Sequence, residues 1–381
     1  MTDQTQHNIQ QRLSARALSQ EWLSEQAKVR PARLTDILEH EAPPSGAELR
    51  RIAAALAVPV PALYASNFSD EFIVPDFRQK DISATPPSTK LLKSIHKIHS
   101  ILLNLAEFAP SARSIIASHN GKITKSEAQR LAILYRAKAE IDDQKQISFQ
   151  NSNSFYKHSR IKIESWGIFV FQDSFEHRAD GSGYAVIKDS HAAIVINTSK
   201  QSKTRRHFTL WHEFAHILLG RPGISDPYKV ENSIERFCNT FAANLLAPDS
   251  VIHLAFEITG RPYKADLSNT AVFEIADSIR IGQEILLIRA EQLDITPAGF
   301  HKRWKERFLG KPHPDQSDPV RRSADPSPPD PLETKRSIFG NNFVRACIAA
   351  VNAGALDDFD IYRISGLKPK YFHSLERAME G

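Results

Sequence analysis

Only two of the 381 residues are cysteine, Cys238 and Cys347, so no disulfide framework holds the chain together and a reducing cytoplasm is the expected setting. No run approaches the roughly 20 apolar residues that a membrane-spanning helix needs, so the expected partners do not include a membrane. The stretch MTDQTQHNIQQRLSARALSQ lacks the apolar centre of a secretory signal. No internal repeat is evident. Excess charge is slight: a net +5 and a pI near 9 permit contact with nucleic acid without demanding it. What remains is a chain long enough for two or three domains, each with its own core.

Hydrophobic periodicity divides that chain. QRLSARAL, QEWLSEQAKV, RPARLTDILEH and GAELRRIAAALAVPVPALYA each carry apolar residues at helical spacing, which predicts an all-helical bundle over residues 1–66. Pro31 falls in the first turn of the third helix, where its missing N–H costs little. Residues 67–150 read as a helical connecting region, with ATPPSTK as a linker and further helices at LLKSIHKIHSILLNLAEF and 125–141. From 151 to 310 the pattern changes. A helix leads into the β-branched runs GIFVF, GYAVIK and AAIVIN, the last two forming a hairpin, and more helices follow. Residues 311–334 are rich in Pro, Asp and Ser and read as a linker or surface loop, and 335–381 return to helix.

The chemistry concentrates in TLWHEFAHILLG, residues 209–220, where an apolar helix carries His-Glu-x-x-His and stops at Gly220 and Pro222. Residues four apart share a helix face, so His212 and His216 can aim two imidazoles at one ion. Glu213, offset by about 100 degrees, can reach a water there as general base without being a ligand. A catalytic zinc site needs a third protein ligand and an open position. Glu235, 19 residues after His216 on the helix SIERFCNTFAANLL, is the candidate. Asn239, four residues further on, shares its face and can hydrogen-bond a ligating histidine. With 15 histidines in the chain, a lone match can be chance, so its setting after a sheet and before a Glu-bearing helix decides the matter. Cys238 reads either as a soft ligand or as a buried packing thiol, the second being favoured. Tyr228 and His253 lie near the motif in sequence, yet neither identifies itself as the donor that a tetrahedral oxyanion requires.

RRHFTLWHEFAHILLGRPGISDP together with SIERFCNTFAANLLAP, and the upstream IESWGIFVF and AIVIN, resemble the ImmA/IrrE family of metallopeptidases in the version with an N-terminal helix-turn-helix of the XRE type. The resemblance implies an α+β chain: a helix-turn-helix bundle, a gluzincin-like zinc domain with a small antiparallel sheet and active-site helices, and a helical C-terminal region. It implies His212, His216 and Glu235 as ligands of Zn2+, with Glu213 as base. It also implies cleavage of an XRE-type repressor, derepressing stress, prophage or mobile-element genes. His and carboxylate ligands accept Mn2+ as well.

In the N-terminal bundle the recognition helix would begin near Arg30 and present Arg30 and Arg33 to DNA or to a repressor. Asp36, Glu39 and Glu41 oppose a phosphate-lined groove, and residues 1–66 balance seven basic against seven acidic side chains. DNA binding and protein docking therefore both stay open. The tail LDDFDIYRISGLKPKYFHSLERAM also suits a helix-turn-helix, although a cap over the peptidase domain is the better reading. Two rivals to a protease remain. One is a DNA-binding regulator whose metal domain senses without cutting, and the other is an antitoxin-like protein that acts by binding alone.

Overall fold

The computed structural model describes residues 2–16, 18–39, 42–64, 87–175, 180–199, 201–221, 224–225, 233–307 and 330–380. Four helices, α1 (Thr2–Ala15), α2 (Gln20–Ala27), α3 (Pro31–Leu38) and α4 (Gly46–Ala55), and a 3-10 turn at Val60–Leu63 close around Leu23, Leu34, Ile37, Ile52 and Leu63. Ser19 and Ser45 cap α2 and α4, the latter with a full capping box through Glu48. Pro31 opens α3 at its first turn.

After α5 (Thr89–Leu105), α6 (Lys125–Lys138), α7 (Asp143–Ser148) and α8 (Ser152–Ser165), the chain enters the sheet. Its strands are β1 (Ile168–Asp173), β2 (Gly183–Lys188), β3 (His191–Asn197) and the short β4 (Ile224–Ser225), in the order β1-β3-β2-β4. The expected β2–β3 hairpin is present. The sheet is nevertheless mixed rather than antiparallel. β2 reverses the direction of β1, and the hairpin reverses it again, so β3 inserts beside β1 running parallel to it.

Both faces of this sheet are covered, which explains why its strands read as continuous apolar runs. Alternate residues serve the two sides. Ile168, Val170, Ile194 and Ile196 pack against α9 (Lys203–Leu218) and α10 (Ser233–Leu246). Phe169, Phe171, Val186 and Val195 pack against α5 and the C-terminal helices. Between the sheet and the C-terminal region run α11 (Asp249–Thr259), α12 (Asn269–Ser278), α13 (Gln283–Gln292) and α14 (Phe300–Glu306). The C-terminal region consists of α15 (Pro331–Phe339), α16 (Asn341–Asn352), α17 (Asp358–Ser365) and α18 (Pro369–Glu380). It begins at Pro331 instead of 335, because Asp330 caps a helix whose first residue is that proline. Phe343, Ile361 and Phe372 carry it onto the sheet, so the tail caps the sheet face opposite α9. No helix among the described residues is long and apolar enough to cross a membrane.

The end of α10 is anchored by buried cations. Its last carbonyls have no partners within the helix. That of Leu245 accepts from Arg136 at 2.9 Å, that of Leu246 from Gln146 at 2.9 Å, and that of Ala247 from the Arg289 Nε at 2.9 Å. Positive charge at a helix C-terminus also favours the dipole.

His207, on α9, is fully enclosed: its Nε2 bonds the Ser159 hydroxyl at 2.7 Å and its ring meets Phe155 edge-on. Burial pushes its pKa down from 6.5 to about 3. Below pH 6.5 the unfolded chain therefore takes up a proton that the folded chain refuses. The stability that neutral His207 contributes is complete above that pH and declines at about 1.4 kcal/mol per pH unit toward pH 3. Melting temperatures followed from about pH 7.5 to about pH 5 should fall less steeply for His207→Gln than for the wild type. Parallel curves would place the acid sensitivity elsewhere.

Candidate metal centre

Helix α9 starts at a capped residue, Ser202, whose hydroxyl accepts from the Arg205 N–H, and it buries nearly every side chain from His207 to Leu218. An all-round apolar helix is a core helix. Within it, His212, Glu213 and His216 are all 0% exposed. Such groups are tolerated in a core only when something compensates them. Helix α10 packs antiparallel to α9 through Phe214, Phe237 and Phe241 and brings Glu235, 4% exposed, against the histidines.

The result is a closed triangle of donor atoms. His212 Nε2 and His216 Nε2 are 3.2 Å apart. Glu235 Oε2 lies 3.2 Å from the first and Oε1 3.3 Å from the second. Tetrahedral ligands at about 2.0–2.1 Å from an ion are about 3.3 Å from one another, so the triangle has the dimensions of three corners of such a site. Among the described residues these three form the group able to hold a metal.

Tautomer chemistry supports the same fit. His216 Nδ1 is 3.0 Å from the Arg221 carbonyl, which can only accept, so Nδ1 carries the proton and Nε2 presents its lone pair to the triangle. Lone pairs and a carboxylate converging in a dry interior repel one another unless a cation joins them. The backbone turn behind this contact depends on Gly220, at φ +61, where a Cβ would also meet the Ala117 Cβ at 2.7 Å. Asn239, on the same helix as Glu235, interacts with the His212 ring and acts to raise its pKa. Burial lowers the His212 pKa, with Glu235 and Asn239 acting the other way. Burial alone would raise the Glu235 carboxyl, but with protons on the histidine Nε2 atoms in place of an ion, their hydrogen bonds and charge bring it down to about 2, so it is a carboxylate at neutral pH.

Glu213 stands outside the triangle, on the sheet side of α9. A Cβ placed on Gly183 would lie 3.4 Å from Glu213 Oε1 and 2.7 Å from both Thr209 Cγ2 and the Val195 carbonyl. Only a residue without a side chain lets the first position of β2 approach the helix so closely. That is the same point at which β2 pairs with β4 on the sheet's edge. Gly183→Ala should force α9 off the strand and displace Glu213. The expected result is a peptidase rate down about 100-fold at unchanged metal content, the usual cost of roughly 1 Å of misplacement. A normal rate at full metal content would show that the strand does not hold the glutamate.

The other candidates separate clearly. Cys238 is fully buried beside His216, and burial raises its pKa, which suits a packed thiol. His253 is on the exposed side of α11, its Nδ1 bonded to the Tyr263 hydroxyl at 2.8 Å. Tyr228 lies outside the described residues, as does Glu41. In the N-terminal bundle Arg30 is exposed at the start of α3. Arg33 turns back to make a two-pronged pair with Glu48 at 2.9 and 3.0 Å, which holds that carboxyl at about 2. Neither the Arg221 carbonyl nor the Gly183 approach is signalled by a side-chain motif, since both contacts are made by backbone.

Two packed helices thus bring together a buried His-His-Glu group that could hold a metal ion, with a glutamate beside it against the start of β2. Residues 163–291 match the family model described as Peptidase_M78, IrrE N-terminal-like domain. That family suggests a metallopeptidase and implies a divalent metal, and the matched segment contains Gly183, His212, Glu213, His216, Arg221, Glu235 and Asn239. Comparison with curated proteins and with solved structures returned no match.

Proposed function

We propose that the chain is a zinc-dependent endopeptidase that cleaves a helix-turn-helix repressor and thereby releases genes of stress, prophage or mobile-element type. The observation that carries the hydrolytic reading is the division of labour on α9. His212 and His216 close the donor triangle with Glu235, whereas Glu213 is held apart from it against the first residue of β2. A divalent ion held by His212, His216 and Glu235 would supply Lewis-acid polarisation and acidify a water. The protein does the rest. Asn239 and the Arg221 carbonyl fix the imidazoles, Glu213 accepts a proton from the attacking water and passes it to the departing amine, and the apolar walls exclude bulk solvent.

An extended substrate adds to the sheet edge at β4, the strand next to the one that Glu213 packs against. Repressor as substrate is supported by the resemblance and by the N-terminal bundle. That bundle is charge-balanced, and Arg33 is engaged internally, a surface better suited to gripping a protein than to reading phosphates. New protein N-termini should be compared in bacterial cells expressing the wild type or Glu213→Gln, with and without DNA damage. A cut inside a helix-turn-helix repressor that appears only with the wild type is the expected outcome. Identical N-terminal sets under both conditions would remove the proposal.

A further inference from the structure

A cavity of about 340 Å³ lies between α9, α10, α13 and α14. Phe208, on its wall, has its ring centre 6.1 Å from that of His212, but neither the donor triangle nor Glu213 lines the space. What sits there is therefore held and not cut. The polar groups of the cavity wall are concentrated on one helix. Thr240 and Asn244, four residues apart on α10, both line the cavity. Asn244 is only 8% exposed, and its Nδ2 donates to the Thr240 carbonyl at 2.8 Å. Among the described residues no group donates to its Oδ1. A buried carbonyl oxygen without a donor calls for a water or a ligand. The other walls are apolar, formed by Phe208 of α9, Ala243 of α10 and Ile285 and Ile288 of α13. At the mouth the charges are already matched. Glu284 accepts from Lys305 at 2.6 Å and has His301 at 3.5 Å, and Arg205 also interacts within the protein. Lys125 is exposed to water, where an ion pair gains little.

We infer that this cavity binds a small uncharged molecule, apolar over most of its surface, that donates one N–H or O–H to Asn244 Oδ1. The inference does not depend on the metallopeptidase reading, because binding needs no turnover. The volume is at the lower end for ligand pockets and admits roughly 10–15 non-hydrogen atoms, such as a substituted aromatic bicycle. Burying that body against Phe208, Ile285 and Ile288 supplies most of the affinity. The hydrogen bond supplies the selection. A donor replaces the water at Oδ1, whereas an apolar group that displaces the same water leaves the oxygen without a partner.

The test uses the full chain and two probes, 5-fluoroindole and its N-methyl analogue 5-fluoro-1-methylindole, each titrated and followed by fluorine NMR of the probe. The indole should bind saturably with a Kd below about 1 mM, the order expected of a molecule of this size at modest ligand efficiency. Its N-methyl analogue, which cannot donate, should bind about 10-fold more weakly, the scale of one buried hydrogen bond. Asn244→Leu has a side chain of similar size but no acceptor, and should bind the two probes equally. Ala243→Phe and Ile288→Trp fill the space from two different helices. Either should abolish saturable binding of the indole, so the result does not depend on one variant folding. No saturable binding of 5-fluoroindole to the wild type, or binding that both filling variants leave unchanged, would overturn the site. Equal binding of the two probes to the wild type, or discrimination between them that Asn244→Leu leaves intact, would overturn the part given to Asn244.

Discussion

Glu235→Ala should leave the protein unable to retain a divalent metal. Losing a partner outside the ligand set typically costs about 10–100-fold in metal affinity, and losing one of three ligands must cost more. Glu235 supplies the negative charge of the triangle and both of its oxygens face a histidine, at 3.2 and 3.3 Å. Alanine removes both contacts and leaves two buried imidazoles whose Nε2 atoms face each other at 3.2 Å. Metal per chain after dialysis, measured by mass spectrometry, is expected near one for the wild type and near zero for the variant. Stability should follow the metal. A ligand at about 1,000 times its Kd adds about 4 kcal/mol to the folded state, so a chelator should lower the melting temperature of the wild type by several degrees and leave Glu235→Ala unmoved. His253→Ala, at an exposed position bonded only to surface Tyr263, is the control and should behave as wild type. A Glu235→Ala protein that holds one metal with undiminished affinity would remove this residue from the centre.

The part of this centre that could be read from the chain is the part encoded locally. Four-residue spacing on one helix brings His212 and His216 together regardless of what surrounds them, and an apolar stripe on a second helix states which face of Glu235 turns inward. The β2–β3 hairpin was legible for the same reason, being two strands and a short turn. What escaped reading was set by contacts distant in sequence or made by backbone. The parallel place of β1 beside β3 follows from the route of the connection, not from the apolar pattern of GIFVF. Gly183 looks like any strand glycine until α9 arrives against it. Arg221 matters through its carbonyl, which no side-chain motif records. Arg33 suits a groove reader by position, and only the fold shows Glu48 waiting for it 15 residues later. The start of α15 at Pro331 is a milder case, because Pro, Asp and Ser serve linkers and helix starts alike.

Glu213→Gln should lower the turnover of a cleaved peptide by about 100- to 10,000-fold, the range attributed to a positioned general base, with KM and metal content close to the wild-type values. Glutamine preserves the length and one oxygen, so packing against Gly183 survives, and what is lost is the ability to take a proton. Glu213→Asp keeps that ability but withdraws the carboxylate by one methylene, and should retain part of the rate. The pair separates chemistry from structure: a structural glutamate would tolerate glutamine better than aspartate, and a base would show the reverse. The comparison also separates a protease from a regulator that senses metal without cutting. For a regulator, Glu213→Gln still loads metal and still controls its genes, because neither act requires proton transfer. Single-turnover cleavage and gene output, measured on the same three proteins, therefore decide between the two. Loss of both in Glu213→Gln, at full metal content, assigns the activity to hydrolysis. Retention of gene control with no cleavage by any of the three proteins assigns it to binding.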